Sequence, residues 1–134
     1  MKGLRSRLAG AGLAVALGLI GAGSAHAAAF THSTTGVSMN GSYVFEPQSV
    51  RQGAFHFWGT LNDTLNDGHA GKQQVRIEGY GYNTYYAPVD ADKYLNQYIW
   101  AAPQLYVTKA RAKVCRDRGT LLPDNCSAEK TYTR

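Results

Sequence analysis

The sequence predicts an all-β protein, a small antiparallel β-sandwich of about six strands closed by one disulfide. Three observations lead there. Apolar and polar residues alternate at a period of two in several segments. The chain has 15 Gly and 9 Tyr and few helix-period runs. Its only cysteines, Cys115 and Cys126, stand in a chain that begins with an export signal.

That signal comes first. Lys2, Arg5 and Arg7 make a basic start, and residues 8–20 are apolar but too short to span a bilayer. Ala25-His26-Ala27 is a small-residue cleavage signature, so residues 1–27 read as a signal peptide and 28–134 as one secreted domain. The arginines are unpaired, which favours the general secretion route. No Cys follows the cleavage point and no second apolar run exists, so neither a lipid anchor nor a membrane span of the mature form is expected. The whole chain carries +5, and without the three leader cations it carries +2. So small a charge argues against nucleic acid as a partner. The remaining length suits one modest core.

Residues 28–38 are small and polar, a flexible arm or a short edge strand. Residues 42–46 hold Tyr43, Val44 and Phe45 and read as a strand that Pro47 ends. Residues 53–82 are the centre. Phe55, Phe57 and Leu61 share one face with Gly59; His56, Trp58 and Thr60 share the other. Further on, Val75 and Ile77 align with Gly79 and Gly81, opposite Arg76, Glu78, Tyr80 and Tyr82. The two arms are expected to form a hairpin. Both core faces fall on odd numbers, so the loop must be odd in length or bulged, with Gly68 or Gly71 at positive φ. This register would set Trp58 beside Arg76 or Glu78, and Tyr80 near His56.

Residues 83–93 contain Tyr85, Tyr86, Pro88, Asp90 and Asp92 and read as a surface loop. Residues 94–101 are a strand with Leu95, Ile99 and Trp100 as its bulk, and Pro103 follows. Residues 105–116 are the longest alternating run. Tyr106, Thr108, Ala110, Ala112 and Val114 face one way, under a close-packed second sheet. Lys109, Arg111 and Lys113 form a solvated or guarded face. Cys115 and Cys126 are expected to pair, which is worth roughly 3 kcal/mol on the chain-entropy model. Residues 128–132 suit a last strand beside the bridge.

The search for chemistry finds little. Residues 62–68 (NDTLNDG) invite calcium, but an EF-hand loop started at Asp63 has Leu65 third and Gln74 twelfth. A site from Asp63, Asp67 and backbone carbonyls stays open beside a loop whose Asn and Asp cap their own backbone. His69 has no HExxH or CxxC spacing around it. No GxSxG elbow exists, and both thiols are used by the bridge. A carboxylate pair such as Glu78 with Asp63 is the remaining hydrolytic option. No cofactor is expected. Trp58, Tyr80 and Tyr82, with Tyr85 and Tyr86 adjoining, are the candidate binding surface. Exposed, they suit a polysaccharide or an extracellular protein; covered by the second sheet, they are core.

The runs FHFWGTLND at Phe55, NDGH at Asn66, RIEGYG at Arg76, VCRDRG at Val114 and PDNCS at Pro123 resemble small secreted actinobacterial proteins. The likeness covers most of residues 28–134, and its motifs are turn and core signatures. It implies location and the Cys115–Cys126 pair, and no activity. The expected function is a secreted, non-catalytic binding or envelope-associated β-module. The alternative is a small hydrolase, or an inhibitor presenting the loop 116–125.

Overall fold

The computed structural model describes residues 25–134. The basic start and the apolar run expected to form an export signal lie outside the described residues. Nine strands and no helix occur among the described residues. They are β1 Ala28–Thr34, β2 Val37–Phe45, β3 Phe55–Asp63, β4 Gly71–Ile77, β5 Asn83–Tyr86, β6 Lys93–Ile99, β7 Lys109–Arg116, β8 Asn125–Cys126 and β9 Lys130–Thr133. A first antiparallel sheet has the order β1-β2-β3-β6. A second has the order β5-β4-β7, with β8 and β9 along the far edge of β7. The expected sandwich with one disulfide is present, Cys115 and Cys126 being joined as direct cross-strand neighbours.

Alternation placed most of the buried faces correctly, but Tyr106 and Thr108, expected on the core face, are exposed because they precede β7. Phe55, Phe57, Leu61, Val75, Ile77, Ala110, Ala112 and Val114 are all buried. The core is aromatic at its centre. The Phe30 ring lies 4.8 Å from Phe57 and 5.4 Å from Tyr132, so β9 joins the two layers. Rings tilted at these distances attract beyond the area they bury.

The central hairpin is not formed. β3 lies between β2 and β6, while β4 lies between β5 and β7. Residues 64–70 therefore cross from one sheet to the other. Trp58 stands opposite Ser42 and Asn96, not beside Arg76 or Glu78. His56 stands opposite Val44 and Tyr98, not near Tyr80. The physical reason is that a period of two says which side chains are buried and nothing about which strand is the neighbour. Three boundaries also differ. β4 ends at Ile77, where Tyr80 N–H returns to the Ile77 carbonyl in a turn. Residues 83–86 form a strand rather than loop, because β4 offers them a ladder from Lys72 to Val75. β7 begins only at Lys109; Leu105 and Tyr106 are exposed, and the buried residue there is Val107.

Residues 46–54 bring the chain from β2 to β3 through three successive left-handed residues, Arg51 (φ 45°), Gln52 (59°) and Gly53 (76°). Two of them are not glycine, a conformation held only when the surroundings impose it. Val50 N–H to the Pro47 carbonyl and Gly53 N–H to the Val50 carbonyl, both 2.9 Å, close this turn.

Candidate functional site

The two outer faces of the sandwich differ in chemistry. On the second sheet the outward positions are charged. Arg76 lies opposite Arg111, and Gln74 opposite Lys113. The arginines are ion-paired, Arg111 with Glu78 and Glu129, and Arg76 with Glu129. The run expected to be solvated, Lys109, Arg111 and Lys113, is therefore half-buried, with Arg111 held in a charge network. Its hydrogen bond to Arg111 holds the Glu78 carboxyl below the ordinary range.

The first sheet's outward positions carry no Lys, Arg, Asp or Glu. Cross-strand register lays them in rows: Thr31–Asn40–Thr60–Tyr94, then Ala29–Ser42–Trp58–Asn96, then Val44–His56–Tyr98. Hydroxyls and amides occupy the β1–β2 side, and aromatic rings collect on β3 and β6. The first two rows cross four strands, roughly 14 Å at the usual strand spacing, and the third crosses three. Exposed sheets are ordinarily kept from pairing with other chains by charge, and these strand positions have none.

The rings are organised by their neighbours. The imidazole of His56 stacks on Tyr98, with centroids 3.9 Å apart and planes within 11°. Trp58 lies against the same imidazole at 4.8 Å. The Arg51 guanidinium, presented by the left-handed turn, sits 4.8 Å over Tyr98 and 4.6 Å over Trp100. Glu46 Oε1 is 2.7 Å from His56 Nδ1, and Asn96 Oδ1 is 2.7 Å from Nε2. Both ring nitrogens are thus engaged, and the imidazole lies between two rings. His56 positions this row; it has no free nitrogen to take a proton from a substrate. Stacking uses up the faces of His56 and Tyr98. Tyr94, 62 % exposed, and Trp100, 42 % exposed, are the rings open to a ligand.

Of the candidate surface, only Trp58 lies here. Tyr82 is on the opposite side of the sandwich, between Arg76 and Lys113, with its hydroxyl on Glu129. Tyr86 lies near Lys72 on that same sheet. Tyr80 is in the turn after β4. Tyr85 packs against Phe57 from within, and burial raises its phenol above the ordinary range. The five rings therefore do not make one platform. Tyr94, Tyr98 and Trp100 were missed, yet β6 carries the signal: positions 94, 96, 98 and 100 share the parity opposite to Leu95 and Ile99. Trp100, read as bulk of its strand, belongs to the outward set.

The other candidates are spread apart. Asp63 accepts the Leu65 and Asp90 amides, and Asp67 accepts the His69 amide and pairs with Arg116. They cap their loops as Asx residues do. No group of three or more His, Cys, Asp or Glu side chains suited to a metal occurs among the described residues. Asp63 ends β3 and Glu78 lies in the turn after β4, each with its own partners, so no carboxylate pair is assembled. No family model, curated protein or solved structure matches the chain.

Proposed function

We propose that the protein is an exported, non-catalytic binding module whose first-sheet outer face takes a hydroxyl-rich polymer, in the first place a polysaccharide. One observation carries the reading: an outward sheet face whose strand positions hold no charged residue, half hydroxyl and amide, half aromatic, with Glu46 and Arg51 entering from the β2–β3 connection at its aromatic end. Sugars offer matching surfaces, an apolar ring face for Tyr94 and Trp100 and hydroxyls for Thr31, Asn40 and Thr60. The test is retention of purified protein on insoluble glycans. Trp100→Ala should lower retention about tenfold, or ~1.4 kcal/mol, and leave Tm within a few degrees. Undiminished retention by that variant excludes the face.

A second reading, a protein inhibitor, has one observation in its favour. Leu121 is 95 % exposed within the loop that the disulfide closes. Inhibition of secreted proteases that disappears in Leu121→Gly would select it.

A further inference from the structure

At the β1 end of the same face lies a groove of about 280 Å³, lined in part by Thr31, His32, Ser38, Asn40, Ser127 and Lys130. It runs between the free edge of the first sheet and the segment from β8 to β9. Thr31 and Asn40 belong at once to the groove and to the row that ends in Tyr94. Its one charged side chain is a cation. Lys130 has no carboxylate partner among the described residues, and its ammonium rests on the Thr31 carbonyl.

His32 adds a donor that the fold leaves unused. The residue is 4 % exposed, and Nδ1 is buried with no hydrogen-bond partner among the described residues. The other nitrogen, Nε2, is 2.9 Å from the Tyr132 hydroxyl. Burial keeps the Tyr132 phenol protonated, well above its ordinary range. The phenol can donate to Nε2, and in that tautomer the imidazole proton stands on Nδ1. A buried N–H without an acceptor costs about 1–3 kcal/mol. An arriving oxygen would relieve that cost.

We propose that this groove binds an oxyanion, a carboxylate or phosphate carried on a sugar unit, with Lys130 and His32 as its principal donors and Thr31 and Asn40 flanking. The polymer on the adjoining face would then be an acidic polysaccharide. This deepens the polysaccharide reading, and rests on it for the polymer but not for the oxyanion. Lys130 would leave the Thr31 carbonyl for the anion, exchanging a neutral acceptor for a charged one.

The experiment uses purified protein with galacturonate, a hexose phosphate and galactose, followed through the His32 ring resonances and Tm. The two acids should shift the His32 signals saturably and raise Tm, as a ligand specific to the folded state must, and galactose should do neither. Whichever acid binds more tightly identifies the source of the oxyanion. Lys130→Gln should weaken acid binding at least tenfold and leave retention on a neutral glycan unchanged. Equal responses to galacturonate, hexose phosphate and galactose, or acid binding untouched by Lys130→Gln, overturn the groove. Acid binding intact in a protein retained on no glycan overturns the face reading and leaves the groove standing.

The same histidine gives a prediction without any ligand. Burial, helped by Lys130, lowers its pKa from 6.5 to about 4. Below pH 6.5 the unfolded chain therefore binds a proton that the folded one refuses. Stability is full above 6.5 and falls as pH drops toward 4. Tm should decline on the order of 10 °C across that window, beginning above the range in which unfolded carboxylates titrate. His32→Gln should flatten the decline between pH 6.5 and 5, and a decline of undiminished slope would exclude His32 as its origin.

Discussion

Alanine in place of Gly41 should lower Tm by on the order of 15 °C or more, the cost of roughly 3 kcal/mol of overpacking in a domain of this size. Gly41 and Gly59 face each other across β2 and β3. The backbones are close enough there that a Cβ on Gly41 would stand 2.0 Å from the Trp58 carbonyl oxygen and 2.8 Å from the Gly59 Cα. A Cβ on Gly59 would meet the Asn40 carbonyl oxygen at 2.3 Å. These neighbours are main chain and cannot turn aside as a side-chain tip can. Relief would require β2 and β3 to separate, breaking ladder hydrogen bonds in the middle of the first sheet. Phe30, opposite Gly41 on the other side, packs at 4.8 Å on Phe57 and would be displaced with it. The effect reaches the outer face too, because Asn40 and Trp58 are the residues adjoining the glycines. Thermal melting of Gly41→Ala beside Gly68→Ala makes the comparison. A Cβ on Gly68 would meet nothing within 4 Å, but the residue sits at φ 73°, so its replacement reports backbone strain alone, about 1 kcal/mol. Equal melting of the two variants would show that the close approach is not tight.

What could be read from the chain follows from what periodicity encodes. A strand's parity needs only its own residues, and so Phe55, Phe57, Val75, Ile77, Ala110 and Ala112 were placed in the core without knowledge of any partner. Pairing needs two strands and a connection. TLNDGHAG has the turn residues of a hairpin, and those residues serve equally in a loop that leaves one sheet for the other. Once β3 and β4 part, every cross-strand neighbour inferred from the hairpin changes, and Trp58 loses the tyrosines expected beside it. The candidate face was hidden for the same reason. It is composed from three successive strands and a fourth, β6, that begins at Lys93, 30 positions after β3 ends at Asp63, and its defining property, strand positions without charge over several rows, exists only after register is known. His32 was less legible still. In a small polar segment nothing marks it as the inward residue opposite Met39, and its link to Tyr132 spans 100 positions.

The disulfide is the element for which sequence and structure agree most fully, and removing it should cost about as much as the Gly41 change. Cys115 is in β7 and Cys126 in β8, 11 positions later. Closing so short a loop restricts the unfolded chain by roughly 3 kcal/mol on the chain-entropy model. The bridge also governs what comes after it. β8 is two residues long and pairs with β7 through Cys115–Cys126 and Arg116–Asn125 alone. Beyond it, β9 must return to β7 so that Tyr132 lies opposite Ala110. There its ring meets Phe30, Phe55 and Tyr43 at 4.7 to 5.4 Å. Cutting the bridge lets β8 leave, lengthens the free segment before β9, and loosens the ring that joins the two layers. The Lys72–Asp124 ion pair and the Arg118 amide on Asp124 would still tether the loop. The expected result is therefore a folded domain of lower stability. A Cys115→Ala/Cys126→Ala double variant, which avoids leaving a lone thiol, should melt about 15 °C lower. Hydrogen exchange should rise first in residues 125–133, while the β2–β3 ladder stays protected until global unfolding. A double variant melting within a few degrees of the parent, or exchange rising evenly over both sheets, would remove the bridge from its place as the clamp on the C-terminal strands.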